Sequence, residues 1–124
     1  MTNADIARQL FAALAGQDEA AVRALCSPDL EVRQNNGPPM SLESLLKFNR
    51  MVGKAVTGFR YEDAVRSATG TGFVEEHAVR GTLPDGKPLE LAVCVVADVK
   101  DGKVTFVREY VDSAASAGLV AALR

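Results

Sequence analysis

The chain has 124 residues, 48% of them hydrophobic and 24% charged, so we expect one folded domain over residues 1–124 rather than a disordered or fibrous chain. The 14 Lys and Arg and 16 Asp and Glu residues are interspersed without runs, which argues against nucleic acid as a partner because binding phosphates needs a basic stripe. No stretch approaches the roughly 20 apolar residues of a membrane span, and the first ten residues are too polar for a signal peptide, so we expect a cytoplasmic protein without a membrane partner.

The first 25 residues have the periodicity of two amphipathic helices. Thr2 and Asp5 match a capping box, and apolar residues recur every four positions after it, so a first helix is predicted to end at Gly16. Asp18 is suited to cap a short second helix, which Pro28 prevents from continuing.

A strand and a third helix are predicted next. Residues 30–35 alternate between apolar and polar side chains, which is typical of a short strand. Ser41 is a helix cap, and the apolar spacing after it predicts a helix that ends at Gly53.

The second half of the chain changes from a helical to an alternating period. It contains two Asp-Gly pairs, at 85–86 and 101–102, which favour tight turns because glycine adopts a positive φ easily. Ser113 is predicted to cap a final Ala-rich helix. The alternating segments predict four antiparallel strands, over residues 59–66, 73–82, 88–99 and 104–112.

These elements predict an α+β domain with helices packed on one face of a strongly twisted sheet. A β-sandwich would also explain short alternating strands. It would leave no role for roughly 50 amphipathic helical residues at the start, so we set it aside.

Three segments, taken in order, resemble a known superfamily. They are residues 27–30 (SPDL), residues 80–86 (RGTLPDG), and residues 101–104 (DGKV) running into 108–112 (REYVD). The chain resembles the nuclear transport factor 2-like superfamily over nearly its whole length, and within it the SnoaL-like polyketide cyclases, limonene-epoxide hydrolases and ketosteroid isomerases. The resemblance implies a cone-shaped, curved antiparallel sheet with helices on its concave face around one pocket.

The resemblance does not extend to one complete catalytic set. Where limonene-epoxide hydrolases have Tyr-Gln-Asn, this chain has Arg-Gln-Asn at residues 33–35. Their Arg-x-Asp pair falls on Glu76 and Ala78, and their last-strand Asp falls on Glu109. The arrangement that activates water is therefore incomplete, which argues against epoxide hydrolysis itself and leaves a pocket of open chemistry.

Polar residues within otherwise apolar strands are the candidates for chemistry. If the strand orientation of the superfamily holds, Glu76 and Glu109 face the pocket, where two neighbouring carboxylates cannot both ionise easily. Glu109 is then a candidate base, and Glu76 or Arg33 a candidate donor to a developing enolate oxygen. The candidate substrate-binding residues are Arg33, Asn35, His77, Arg80, Leu91, Val93, Val107, Val111, Met51 and Phe11.

Two alternatives concern which face of the sheet these residues occupy. Arg33, Glu76 and Glu109 can instead form an ion-paired cluster on an exposed sheet face. For His77, a two-residue turn at 85–86 pairs Ala78 with Val93, whereas a type I turn with a glycine bulge pairs His77 with Val93. We keep Glu76 as the inward residue and hold His77 as its substitute.

Other chemistries lack a sequence pattern. One histidine and scattered carboxylates give no metal-ligand spacing, and Cys26 and Cys94 match neither a metal nor a redox motif. Gly70 and Gly72 lie between two predicted strands, so no helix follows them to bind phosphate. We therefore expect chemistry without a cofactor.

The sequence supports three functional hypotheses. The leading one is a SnoaL-like enzyme that isomerises, cyclises or hydrolyses a small apolar carbonyl or epoxide-type compound through acid/base chemistry. The second is a non-catalytic ligand-binding or dimeric accessory protein of the same fold, and the third is a protein-interaction domain. We also expect a homodimer through the outer face of the last four strands, because the helices cover only one face of the sheet.

Overall fold

The fold is a five-stranded sheet with four helices, seen in a computed structural model that describes residues 1–124. No helix has the length and apolar composition needed to span a membrane. The helices are α1 (Asn3–Ala15), α2 (Glu19–Leu25), α3 (Leu42–Ala55) and α4 (Ala117–Ala122). The strands are β1 (Cys26–Gln34), β2 (Thr57–Ala68), β3 (Gly72–Thr82), β4 (Pro88–Lys100) and β5 (Lys103–Val111).

The predicted caps begin the first three helices. The Asp5 backbone N–H donates to Thr2 Oγ1 at 3.1 Å, and the Thr2 N–H donates to the Asp5 carboxylate at 3.0 Å, so the capping box of α1 is complete. The Ala21 N–H donates to Asp18 at the start of α2, and the Ser44 N–H donates to Ser41 at the start of α3. Each bond satisfies an amide that the first turn of a helix leaves without a partner.

The strands lie in the order β1-β5-β4-β3-β2. The last four strands form an antiparallel meander, as predicted, and β1 pairs with β5 in parallel, which makes the sheet mixed. The helices pack on its concave face, and the predicted α+β class with a curved sheet is confirmed. The core of 25 buried hydrophobic residues lies between this face and the helices.

Several predicted element boundaries differ from the structure, and three of the differences have a local physical reason. β1 begins at Cys26 and passes through Pro28, which is tolerated because β1 is an edge strand. α3 continues past Gly53, where a Cβ atom would lie 2.4 Å from the Gln17 side chain, so this glycine permits a close approach. α4 begins after Ser116 rather than Ser113, because Asp112 accepts backbone hydrogen bonds that form a turn first.

The turn between β3 and β4 decides which residues of both strands face the helices. Leu83 and Lys87 close the turn with a 2.8 Å backbone hydrogen bond, and Gly86 has a φ of 86°. This is the bulged form that Pro84 favours through its restricted φ. It pairs His77 with Val93, so His77 faces the concave side and Glu76 faces the outer side.

Candidate functional site

A cavity of about 160 Å³ lies between the concave face of the sheet and helices α1, α3 and α4. Of its 23 lining residues, 18 are hydrophobic, so any polar group among them acts in an environment of low polarity. The remaining lining residues are Gln34, Asn49, His77, Glu109 and Ser116, and the hydroxyl-bearing Tyr61 is one of the hydrophobic set.

Glu109 is a carboxylate set into an apolar row of β5. Alternation along the strand directs it to the same side as Val107 and Val111, which also line the cavity. Burial raises the pKa of the Glu109 carboxyl above its ordinary value, while the charge of His77 and a hydrogen bond from Gln34 lower it in part. No Lys or Arg forms a salt bridge with Glu109. The surroundings of Glu109 therefore disfavour its charged form, which makes it a candidate for proton transfer.

His77 is held from behind by a second carboxylate. Its side chain is 2% exposed, and its Nδ1 lies 2.6 Å from Glu75 Oε2. Since Nδ1 is engaged there, the other ring nitrogen, Nε2, is the one left for a ligand, and it makes no hydrogen bond within the protein. The ring also packs against Phe11 and Tyr61, with centroids 4.8 and 4.6 Å away. These contacts fix the orientation of the imidazole.

Glu75 is fully buried, and two partners compensate its charge. One carboxylate oxygen accepts a 2.6 Å hydrogen bond from Arg66 Nε, and the other contacts His77. The Arg66 side chain is 27% exposed, so the series Arg66, Glu75, His77 runs from the surface to the cavity. A buried carboxylate without such partners would be strongly destabilising.

The two catalytic candidates on the sheet stand across β4 from each other. Glu109 is in register with Val95 on β4, and His77 with Val93. Neighbouring strands lie about 4.8 Å apart, so the backbones of β3 and β5 are about 10 Å apart. The small valines between them leave space into which both polar side chains project.

Tyr61 of β2 adds a phenol to the side of the cavity that the sheet forms, here called the sheet wall. Its ring packs edge-on against Phe11 and Phe59, with centroids 5.3 and 5.2 Å away, and its hydroxyl makes no hydrogen bond within the protein. Burial raises the pKa of the Tyr61 hydroxyl, and the charges of Glu109 and Glu75 raise it further. The phenol therefore stays protonated and can donate a hydrogen bond into the cavity.

The structure brings seven of the residues singled out from the sequence to one cavity. Glu109 and His77 supply polar groups, so His77 takes the inward place that was assigned to Glu76. The apolar members of the set are Phe11, Leu91, Val93, Val107 and Val111.

The inward placement of Glu76 and Arg33 is wrong. Glu76 is exposed on the outer face, because the bulged turn shifts the register of β3 by one residue. Arg33 alternates with the inward Val32 and Gln34, so it faces outward, where its Nε lies 2.8 Å from Glu31. Neither side chain reaches the cavity.

Three further residues also lie outside the cavity. Asn35 exchanges two hydrogen bonds with the backbone of Val111, at 2.8 and 3.0 Å, and so joins the ends of β1 and β5. Arg80 forms a surface ion pair with Asp63 at 2.9 Å. Met51 is on the exposed side of α3, 37% exposed. The predicted substrate-binding roles of these residues have no support in their positions.

Sequence reasoning missed four residues of the site and its support: Glu75, Tyr61, Gln34 and Asn49. The spacing Glu75-x-His77-x-Val79 was the available signal, because alternate residues share one face of a strand. With the correct register it places a carboxylate beside the histidine. Asn49 gives no comparable signal, since a polar residue within a helix is most often exposed.

Two other chemistries find no support in the arrangement of side chains. No group of three or more His, Cys, Asp or Glu residues is placed to hold a metal ion. Burial raises the pKa of the Cys26 thiol to about 11, partly offset by Lys103, so this thiol is a poor nucleophile near neutral pH.

The mixed, curved sheet and its enclosed cavity define the class of small α+β domains with the nuclear transport factor 2-like fold. Residues 7–107 match the model of the SnoaL-like domain family, and the chain belongs to that family. No curated protein matches the chain in sequence.

Solved structures with little sequence identity share the fold. A proposed polyketide cyclase from Xanthomonas campestris pv. campestris is 21% identical with a TM-score of 0.81, over 98% of this chain and 96% of that one. An LEH-like epoxide hydrolase from M. tuberculosis is 22% identical with a TM-score of 0.76, over 96% and 92%. A hypothetical protein with a ketosteroid isomerase-like fold from Catenulispora acidiphila, in complex with trimethylamine, is 15% identical with a TM-score of 0.76, over 89% and 86%.

Proposed function

We propose that the protein is an enzyme that uses this cavity for acid/base chemistry on a small apolar carbonyl or epoxide-type compound, without a cofactor. One observation carries the proposal. Glu109, a carboxylate without a Lys or Arg partner, faces an apolar cavity in which His77 is held by Glu75. Groups with perturbed pKa values in such cavities are typical of catalytic sites.

Proton transfer beside a ketone is the reaction that these groups support best. The Glu109 carboxylate takes a proton from the carbon next to the carbonyl, and the electron pair moves onto the carbonyl oxygen. The Tyr61 hydroxyl donates a hydrogen bond to that oxygen and stabilises its negative charge. Return of the proton to another carbon gives an isomer, with no net change in atoms or electrons.

His77 has a supporting role in the same reaction. When Nδ1–H donates to Glu75, Nε2 can accept a hydrogen bond if the ring is neutral. If the ring is protonated, Nε2–H can donate one. It can therefore return a proton to the substrate or hold a water molecule for attack. The second use would serve hydrolysis of an epoxide: Glu109 takes a proton from the water as its oxygen bonds to a ring carbon, the ring C–O bond breaks, and the Tyr61 hydroxyl gives a proton to the oxygen released.

The size of the cavity limits the substrate. A cavity of about 150 Å³ holds one benzene molecule, so the 160 Å³ here suits a single ring with small substituents. A fused polycyclic substrate would require α4 to move, since Leu119, Val120 and Leu123 close one side.

The test uses isomerisation of 3-cyclohexen-1-one to the conjugated 2-enone, followed by ultraviolet absorbance. Glu109→Gln is expected to lower the rate about 10²- to 10⁴-fold, the usual contribution of a general base. Glu76→Gln is the matched control, because it makes the same change on the exposed outer face and should leave the rate within twofold. Equal rates in the wild type and the Glu109→Gln variant would contradict the assignment.

The non-catalytic alternative also makes a prediction in this assay. An ion pair between Glu109 and Arg33 would favour this alternative, but Arg33 pairs with Glu31 on the outer side. If the wild-type protein binds the enone without converting it or any related ketone, the cavity serves binding alone.

A further inference from the structure

Asn49 is the one polar side chain that α3 contributes to the cavity. It is 7% exposed and lies among Leu45, Phe48 and Val52, which also line the cavity. Its Nδ2 donates a 3.0 Å hydrogen bond to the Leu14 carbonyl at the end of α1. Its Oδ1 accepts no hydrogen bond from the protein. No fully buried side-chain polar atom lacks a partner, so this oxygen keeps some accessible surface.

The orientation of this amide is fixed. The bond to the Leu14 carbonyl can be made only by the NH₂ end, so the oxygen end cannot exchange places with it. The Asn49 backbone carbonyl accepts a 2.9 Å bond from Gln17 Nε2, which ties the same turn of α3 to the loop after α1. The Oδ1 atom is therefore an immobile acceptor.

An immobile acceptor among apolar side chains discriminates between ligands. A ligand hydroxyl that reaches Oδ1 gains a hydrogen bond in an environment of low polarity, whereas an apolar ligand leaves the acceptor desolvated and unpaired. An amide oxygen cannot donate, so it selects for ligand donors over ligand carbonyls. Asn49 belongs to the helical wall, whereas Glu109, His77 and Tyr61 belong to the sheet wall.

We propose that Asn49 is a specificity-determining residue, and that its Oδ1 accepts a hydrogen bond from a hydroxyl group of the substrate. The inference rests on the proposed function and narrows its substrate class to small ring ketones that carry a hydroxyl group away from the reacting carbonyl. The sheet wall then binds the carbonyl end, and the α3 wall binds the hydroxyl end.

The experiment compares 4-hydroxyacetophenone with acetophenone, which differ only in a hydroxyl group, by calorimetric titration of the full chain. The wild-type protein is expected to bind the hydroxylated ketone about 3- to 10-fold more tightly, as one net hydrogen bond provides. Asn49→Leu should lower that ratio to about one while leaving the affinity for acetophenone within twofold. Gln17→Met is the matched control. It removes the hydrogen bond to the Asn49 backbone carbonyl, but Gln17 does not line the cavity, so the ratio should be unchanged.

Several outcomes overturn the inference. Equal affinity of the wild-type protein for both ketones does so and leaves the proposed function intact. An equal loss for both ketones in Asn49→Leu would assign Asn49 a structural role only. Binding of neither ketone overturns this inference and the proposed binding of small ketones together.

A second measurement covers the case in which Asn49→Leu does not fold. In ¹⁵N-labelled wild-type protein, the hydroxylated ketone should shift the Asn49 side-chain amide resonances more than acetophenone does, because the new bond polarises the amide. Identical shifts with both ketones would overturn the inference.

Discussion

Glu109 is exceptional among the carboxylates because it lies half-buried in an apolar cavity and has no Lys or Arg partner. Glu75 is buried more completely, yet Arg66 and His77 compensate its charge. Some exposed carboxylates, such as Glu43 beside Arg23, form surface ion pairs whose contribution to stability is small. Only at Glu109 does the environment oppose the charge that the reaction needs.

This contrast predicts a pH-dependent effect of Glu109→Gln on stability. The pKa of the Glu109 carboxyl is raised in the folded state, whereas in the unfolded chain it is about 4.3. The folded state thus binds the proton more tightly, so the stability from this group is complete below the unfolded pKa and is lost as the pH rises through the folded pKa. At pH 7 the variant should be about 0.5 to 2 kcal/mol more stable than the wild type.

The measurement is urea denaturation of both proteins from pH 4 to pH 8. The difference should shrink towards pH 4, where most of the wild-type carboxyl is protonated in both states. Glu76→Gln, on the exposed face, should show no such trend. A Glu109→Gln variant that is clearly less stable than the wild type at pH 7 would mean that the charge is compensated, and it would remove Glu109 as the base.

At the scale of the elements, the β3–β4 turn positions the site. The alternative two-residue turn would shift the pairing of β3 and β4 by one residue. It would turn His77 and Glu75 outward and Glu76 inward, since successive side chains of a strand face opposite sides. Gly86 is the residue that allows the bulged form, because its φ of 86° is costly for any residue with a Cβ atom.

Gly86→Ala is therefore expected to lower the free energy of unfolding by about 1 to 2 kcal/mol, the cost of placing a Cβ residue in the left-handed region. Gly70→Ala is the matched control, since Gly70 also lies in a turn between strands with open space around it and is not among the glycines of positive φ. That control should change stability by less than about 0.5 kcal/mol. Equal effects of the two substitutions in urea denaturation would contradict this account of the turn.

At the scale of the whole molecule, the outer face of the sheet remains uncovered by helices. Val65 and Tyr110 on this face are 63% and 38% exposed. We expect this face to form a homodimer, because two copies would remove these side chains from water. Light scattering after size exclusion at micromolar concentration should give twice the mass of the chain, 13.2 kDa.

A charge on that face tests the same expectation. Val65→Glu should shift the protein to monomers, because each copy would place a charge without a partner in the interface. Met51→Glu, on the exposed side of α3, is the control and should leave the mass unchanged. A wild-type protein that is already monomeric would show that the outer face is simply solvated.

The sequence by itself determined the order and type of the elements, the curved α+β fold and the family resemblance. Local chemistry carries that information: Thr2 and Asp5 cap a helix whatever surrounds them, and an Asp-Gly pair makes a turn between any two strands.

The tertiary structure alone decided which polar residues form the site. Both faces of β3 have a regular alternating pattern. A shift of one residue in its pairing with β4 decides whether Glu76 or His77 faces the helices. Asn49 joins the cavity only because α3 packs across the end of α1. The physical reason is that a strand or helix pattern fixes which residues share a face, whereas the contacts between distant elements fix where that face points.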